Sequence, residues 1–104
     1  MDTTAYVYLL RCDDGSLSCG STRKPIEQRV WEHLNGRGSV YTNHPKRQPV
    51  QLVWFWECQN VVEAYALDKR IQGWSRRKRE LLIEKGLDGV IGYSARDRRQ
   101  RWDR

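Results

Sequence analysis

The chain has 104 residues, 31% of them charged, with a net charge of +6 and a pI of about 9.5. That length supports one domain with a modest core, to which five Trp and five Tyr can contribute heavily. No apolar run approaches the roughly eighteen residues of a membrane-spanning helix, and three scattered Cys (Cys12, Cys19, Cys58) argue against a disulfide framework and for a reducing, cytoplasmic setting.

The opening MDTTAYVYLLRC has no basic n-region and an early Asp, so no signal peptide is expected. Residues 5–12, AYVYLLRC, are rich in β-branched and aromatic residues and read as a strand. Asp13-Asp14-Gly15 is a hairpin signal, with residues 16–21, SLSCGS, returning. Register decides which side chains meet. A two-residue turn at Asp14-Gly15 sets Tyr8 and Ser18 on opposite faces. A three-residue loop with Gly15 left-handed pairs Leu10 with Ser18 and gathers Tyr6, Tyr8 and Ser18 on one face.

Pro25 suits a first helical turn, and Ile26, Val30, His33 and Leu34 follow at helical spacing. Asn35-Gly36 stops that helix. Arg29 and His33, four apart, stand on one face. Residues 36–48 read as a basic, glycine-containing loop. Residues 49–57, PVQLVWFWE, read as a central strand covered on both faces, with Val50, Leu52, Trp54 and Trp56 on one side. Trp54, Trp56 and Trp74 are expected in or near the core.

A second helix is expected from about Val61 to Gly73, striped by Ala64, Leu67, Ile71 and Trp74. Asp68 borders that stripe, and periodicity does not decide between an exposed flank and a deliberate carboxylate at the core edge. Ser75 can cap a third helix over 76–85, with Leu81 and Leu82 inward and Gly86 closing it. Its first residues, Arg76, Arg77, Lys78 and Arg79, oppose the helix dipole, so a phosphate ligand is a reason for them to be there. Residues 1–92 make one expected domain. Residues 93–104, with five Arg and two Asp, make a basic tail, either a short helix or disordered.

Charge is unevenly placed. No acid lies between Glu32 and Glu57, where Arg37, Lys46 and Arg47 do, and six basic residues and no acid fill Lys69 to Arg79. A polyanion is the natural partner, against the blander alternative of a solvated surface. The three Cys and two His show no zinc-ligand spacing.

Four segments in order resemble the GIY-YIG nucleases, most closely their small YhbQ-like branch. VYLLRCDDGSLSCGST resembles the paired GIY and YIG strands, and IEQRVWEH the following helix. NGRGSVYT with RQPVQLVW resembles the next loop and third strand, and DKRIQGWSRRKRELLI the acidic helix, Gly-Trp-Ser turn and basic helix. The resemblance implies an α+β fold, a three-stranded mainly antiparallel sheet flanked by helices in the order β-β-α-β-α-α. It also implies an endonuclease hydrolysing phosphodiesters of single-stranded, branched or damaged DNA with one Mg²⁺ or Mn²⁺.

On that resemblance Tyr8 matches the GIY tyrosine and Arg29 the arginine that stabilises the pentacovalent phosphate. His33 matches a histidine that relays a proton or binds phosphate, and Asp68 falls at the metal-binding glutamate. Two positions depart from the pattern. Ser18 replaces the YIG tyrosine, usually assigned to the attacking water, and has no comparably acidic hydroxyl. Asp68 is one methylene short of Glu. These departures keep a second reading open, a weak or inactive domain that binds nucleic acid as an adaptor. Arg23, Arg37, Lys46, Arg47, Arg76, Arg77 and Arg79 are the candidate DNA-binding residues. Each site residue also has an ordinary reading: strand aromatics for Tyr6 and Tyr8, a core or rim histidine for His33, a surface arginine paired with Glu32 or Glu27 for Arg29.

Overall fold

The computed structural model describes residues 4–102, with side chains described over 4–90. The elements run β1 (Ala5–Arg11), β2 (Leu17–Thr22), α1 (Ile26–Leu34), α2 (Val40–Asn43), a 3-10 turn (Pro45–Arg47), β3 (Gln51–Cys58), α3 (Val61–Gln72) and α4 (Arg76–Trp102). The chain divides into two compact units, Met1–Gly73 and Trp74–Arg104.

In the first unit the strands form one antiparallel sheet in the order β2-β1-β3. The hairpin takes the three-residue form. Leu10 pairs with Ser18 and Tyr8 with Gly20, and Gly15 sits at φ 84°, the left-handed value such a loop requires. Asp14 stiffens the turn by accepting from the Ser16 amide at 3.0 Å.

β1, not β3, is the central strand. Val7, Leu9 and Leu10 are fully buried, because β1 has a partner strand on each side. β3 lies at the sheet edge, and its Phe55 and Trp56 are 49% and 45% exposed, against the expectation of a strand covered on both faces. High aromatic content suits a half-covered edge as well as a centre. A bulge also divides the expected Leu52–Trp54 column: Leu9 pairs with Trp54 and Leu10 with Leu52, leaving Val53 as the extra residue. Leu52 therefore joins the face of Leu10, and Trp54 the face of Leu9.

On the Tyr8–Leu10 face, Ile26 and Val30 of α1 pack with Cys12, Val50, Leu52 and Tyr6. α3 takes the opposite face. Cys19, which pairs with Leu9, reaches the Asp68 carbonyl with its Sγ at 3.8 Å, and Ala64 and Ile71 are fully buried. Burying a Val, Leu or Ile side chain stabilises by roughly 1.5–3 kcal/mol, so the two faces of β1 hold most of this unit together.

Residues 36–48 are more ordered than a simple loop. Ser39 caps α2 in a reciprocal capping box with Thr42, and His44 caps the 3-10 turn. In the second unit, the Ser75 Oγ accepts from the Lys78 amide at 3.2 Å. α4 breaks at Gly86, where φ is 76° and ψ −176°. The backbone is helical again through Trp102, which makes the tail helical to that residue; its side chains lie outside the described residues. Among the described residues, no helix is long and apolar enough to cross a membrane.

Candidate active site

The hairpin register sets Tyr6, Tyr8 and Ser18 on the face that meets α1. Tyr8 is 2% exposed. Its hydroxyl accepts from Arg29 Nε at 3.0 Å and pairs with His33 Nε2 at 2.9 Å. One helical turn separates the two α1 residues, so both reach the same oxygen. Arg29 also donates through Nη1 to Glu32 Oε1 at 3.0 Å, and Lys24 Nζ donates to the other oxygen of Glu32. The ordinary reading of Arg29 thus contains part of the geometry: it pairs with Glu32, and it donates to Tyr8 as well.

His33 is 2% exposed and is held on every side. Its Nδ1 meets Thr42 Oγ1 at 2.7 Å. Gln48 Nε2 donates to the His33 carbonyl at 2.7 Å and to the Thr42 carbonyl at 2.5 Å. Two glycines make room for the cluster. A Cβ on Gly20 would lie 2.5 Å from the Tyr8 hydroxyl, and one on Gly38 would overlap His33 Nδ1. Sequence reasoning does not find Thr42, Gln48, Gly20 or Gly38. The signal is present in SCG and in GRGSVYT, where glycines flank the bulky residues, but a close approach between distant segments cannot be seen along the chain.

Burial sets the electrostatics of the cluster. It raises the Tyr8 phenol above its ordinary value, and the Arg29 hydrogen bond and charge pull it partly back. Burial lowers His33 to about 4, with the Arg29 charge acting in the same direction, so the imidazole is neutral near pH 7. Glu32 is held below the usual carboxylate value by its hydrogen bonds from Lys24 and Arg29.

Asp68 is a buried carboxylate, 6% exposed, and not an exposed flank. Gln72 Nε2 donates to its Oδ1 at 2.9 Å, one turn along α3. Its charge reaches Tyr8 and adds to the upward pull on the phenol. Among the described residues no group of three His, Cys, Asp or Glu gathers as a metal cage. A single fixed carboxylate fits a hard divalent ion that fills its remaining positions with water and substrate oxygens.

The cationic candidates are dispersed. In the first unit, Arg23 and Lys46 are exposed, and Arg37 lies over the Trp31 ring at 5.7 Å. Arg47 stacks on Tyr41 at 3.7 Å and pairs with Asp14 Oδ2 at 3.3 Å. In the second unit, Arg76 and Arg77 are exposed on the first turn of α4, with Arg76 3.6 Å from Glu80. Arg79 is half-buried, and its Nε is a buried atom with no hydrogen-bond partner among the described residues.

Comparison with known proteins covers the same span. Residues 4–80 match the GIY-YIG catalytic domain. The chain is similar to a UPF0213 protein of Staphylococcus saprophyticus, 41% identical over 81 residues, or 78% of this chain and 95% of that protein. A UPF0213 protein of Haloquadratum walsbyi is 40% identical over 89 residues, 85% of this chain and 96% of that one. The solution NMR structure of a UPF0213 protein from Bacillus halodurans superposes with a TM-score of 0.51 at 36% identity, covering 80% of this chain and 86% of the other.

Proposed function

The chain belongs to the GIY-YIG family, in its small YhbQ-like branch, and on that premise we propose that it is a divalent-metal-dependent DNA endonuclease of low intrinsic rate. The observation that carries this reading is the anchored Arg29. Tyr8 holds its Nε and Glu32 its Nη1, which fixes the guanidinium plane and directs its remaining edge before any substrate arrives. A pre-aimed cation at a phosphate costs no reorganisation as negative charge builds in the transition state.

Asp68 is the residue that would hold a divalent ion. When bound, a divalent ion supplies charge neutralisation at the phosphate and the leaving oxygen. His33, neutral near pH 7, leaves Arg29 as the cation of the cluster. Arg23, Arg37, Lys46, Arg47, Arg76, Arg77 and Arg79 steer the phosphate backbone by charge, without reading sequence. The substrate is single-stranded, branched or damaged DNA.

A specific observation favours the second reading, a nucleic-acid-binding adaptor without turnover. Ser18 brings no phenol to the Tyr8 face, and Tyr8 itself is almost fully buried. General-base assistance is worth roughly 10²–10⁴-fold, so its loss leaves a slow enzyme or none. A cleavage time course with Mn²⁺ separates the two, using the unaltered chain, Ser18→Tyr, Asp68→Glu and the double variant. Slow metal-dependent cleavage that rises with Ser18→Tyr supports the enzyme. Four traces indistinguishable from buffer establish the adaptor.

A further inference from the structure

We propose that Thr42 is a positioning residue: it fixes His33 in the Nδ1–H tautomer, which turns the Tyr8 proton toward His33 and leaves the phenol oxygen to accept from Arg29. The functional meaning of this rests on the nuclease reading, but the hydrogen-bond assignment does not.

The inference follows from placing the hydrogens of Arg29, Tyr8, His33 and Thr42. Arg29 Nε can only donate, so the Tyr8 oxygen is an acceptor at 3.0 Å. Tyr8 has one hydrogen, and its other hydrogen-bond partner is His33 Nε2 at 2.9 Å. If Nε2 carries a hydrogen, the Tyr8 oxygen accepts twice and its own proton is stranded in a residue 2% exposed. Stranding a buried polar hydrogen is unfavourable. If Nε2 is bare, the Tyr8 proton has its acceptor.

The far side of the ring accommodates the same arrangement. With Nε2 bare, Nδ1 carries the hydrogen and donates to Thr42 Oγ1 at 2.7 Å. Thr42 Oγ1 also accepts from the Ser39 amide at 3.2 Å, and its own proton goes to Ser39, whose Oγ lies at 3.1 Å and whose carbonyl lies at 3.3 Å. Both lone pairs and the single proton of Thr42 are then used. The chain of donors then runs from Tyr8 into the ring and from the ring through Thr42 to Ser39. Thr42 is fully buried, so water does not supply an alternative. The capping box with Ser39 holds the hydroxyl in place, and Gly38 leaves the ring edge clear.

This gives the segment GRGSVYT a role beyond its charge. It is the strap that sets which way the buried phenol presents its lone pairs, and so whether Arg29 is gripped or repelled.

Long-range ¹H–¹⁵N correlation of the His33 ring tests this in the full chain, with Thr42→Val and Thr42→Ser. In the unaltered chain Nδ1 should resonate as a protonated nitrogen and Nε2 as a bare one. Thr42→Val removes the acceptor at constant shape and should shift the ring toward the Nε2–H form. Thr42→Ser should restore the original pattern. In Mn²⁺ cleavage, Thr42→Val should slow kcat by roughly tenfold, as loss of an orienting partner commonly does, with KM unchanged and Thr42→Ser restored. An Nε2–H ring in the unaltered chain overturns the assignment, as does a Thr42→Val ring that keeps the Nδ1–H form. If Thr42→Val does not fold, the unaltered and Thr42→Ser spectra decide alone. If no variant cleaves DNA while the ring pattern holds, the nuclease reading fails and the tautomer assignment stands.

Discussion

Two parts of the candidate site are held to different standards. On the α1 side, Tyr8, Arg29, His33 and Thr42 bind one another through side-chain hydrogen bonds of 2.7–3.0 Å, with two glycines shaped around them. Asp68 of α3 has one side-chain amide on one oxygen, and Ser18, on the Tyr8 face but on the edge strand β2, brings only a short hydroxyl. The difference teaches where substitution is cheap. A cluster that is buried and mutually satisfied binds the fold to the chemistry, so its residues cannot change singly without a stability cost. A lone carboxylate and a half-buried serine can change, because less of the scaffold depends on them. The two departures that the resemblance implies, Ser18 and Asp68, fall on these lightly held positions.

The largest expected effect breaks the comparison at its strong end. Arg29→Ala should lower the Mn²⁺-dependent cleavage rate by roughly 10²–10³-fold while leaving Mn²⁺ affinity unchanged. Single-turnover kinetics and a metal titration check this, and a drop smaller than about threefold would end the role given to Arg29.

The next concerns pH. His33 is lowered in the folded chain to about 4, from an ordinary 6.5. The unfolded chain therefore binds the proton more readily between those values. Stability from this group is complete above pH 6.5 and declines as pH falls toward 4, by about 3 kcal/mol in all. Urea unfolding at pH 7.0, 5.5 and 4.5 should show that decline, and His33→Gln should flatten it. A decline of equal size in His33→Gln would assign it to the carboxylates instead.

A smaller effect sharpens the weak end. Ser18→Tyr should raise cleavage by about tenfold, part of what a general base supplies. It should do so with little change in Tm, in contrast to changes at His33. An unaltered chain that is already fast, and indifferent to Ser18→Tyr, would mean that another residue activates the water.

The smallest lies in the second unit. Replacing Arg76 and Arg77 by Ala should flatten the slope of log affinity against log salt by about one unit for each phosphate no longer neutralised. An unchanged slope would remove these two residues from the DNA-binding surface.

Much of the fold is legible in the chain itself. Strand and helix periods give the element order, Asp13-Asp14-Gly15 gives a hairpin, and the spacing of Arg29 and His33 gives a shared face. Local rules suffice for these because each depends on neighbours within a few residues. The features that local rules misplace are non-local. PVQLVWFWE has the composition of a central strand, but a strand's position depends on how many partners find it, and β1 has two. The bulge at Val53 divides a column that strict alternation keeps whole. Residues 36–48 stand out in the sequence for their charge, while in the fold a buried member, Thr42, anchors the segment to His33.

Sequence by itself determined which chemical groups this protein owns: a cationic fork, a phenol, an imidazole, one acidic helix position and a set of basic segments. Tertiary structure decided which of them meet. The hairpin had two possible registers, and only the three-residue loop sets Ser18 on the face of Tyr8. Asp68 could have faced water, and packing of α3 on β1 and β2 buried it. Hydrogen-bond partners are fixed by distance in space, to within a few tenths of an ångström. A linear pattern, which specifies faces and periods, carries no such distances between segments separated by 25 residues, as Tyr8 and His33 are.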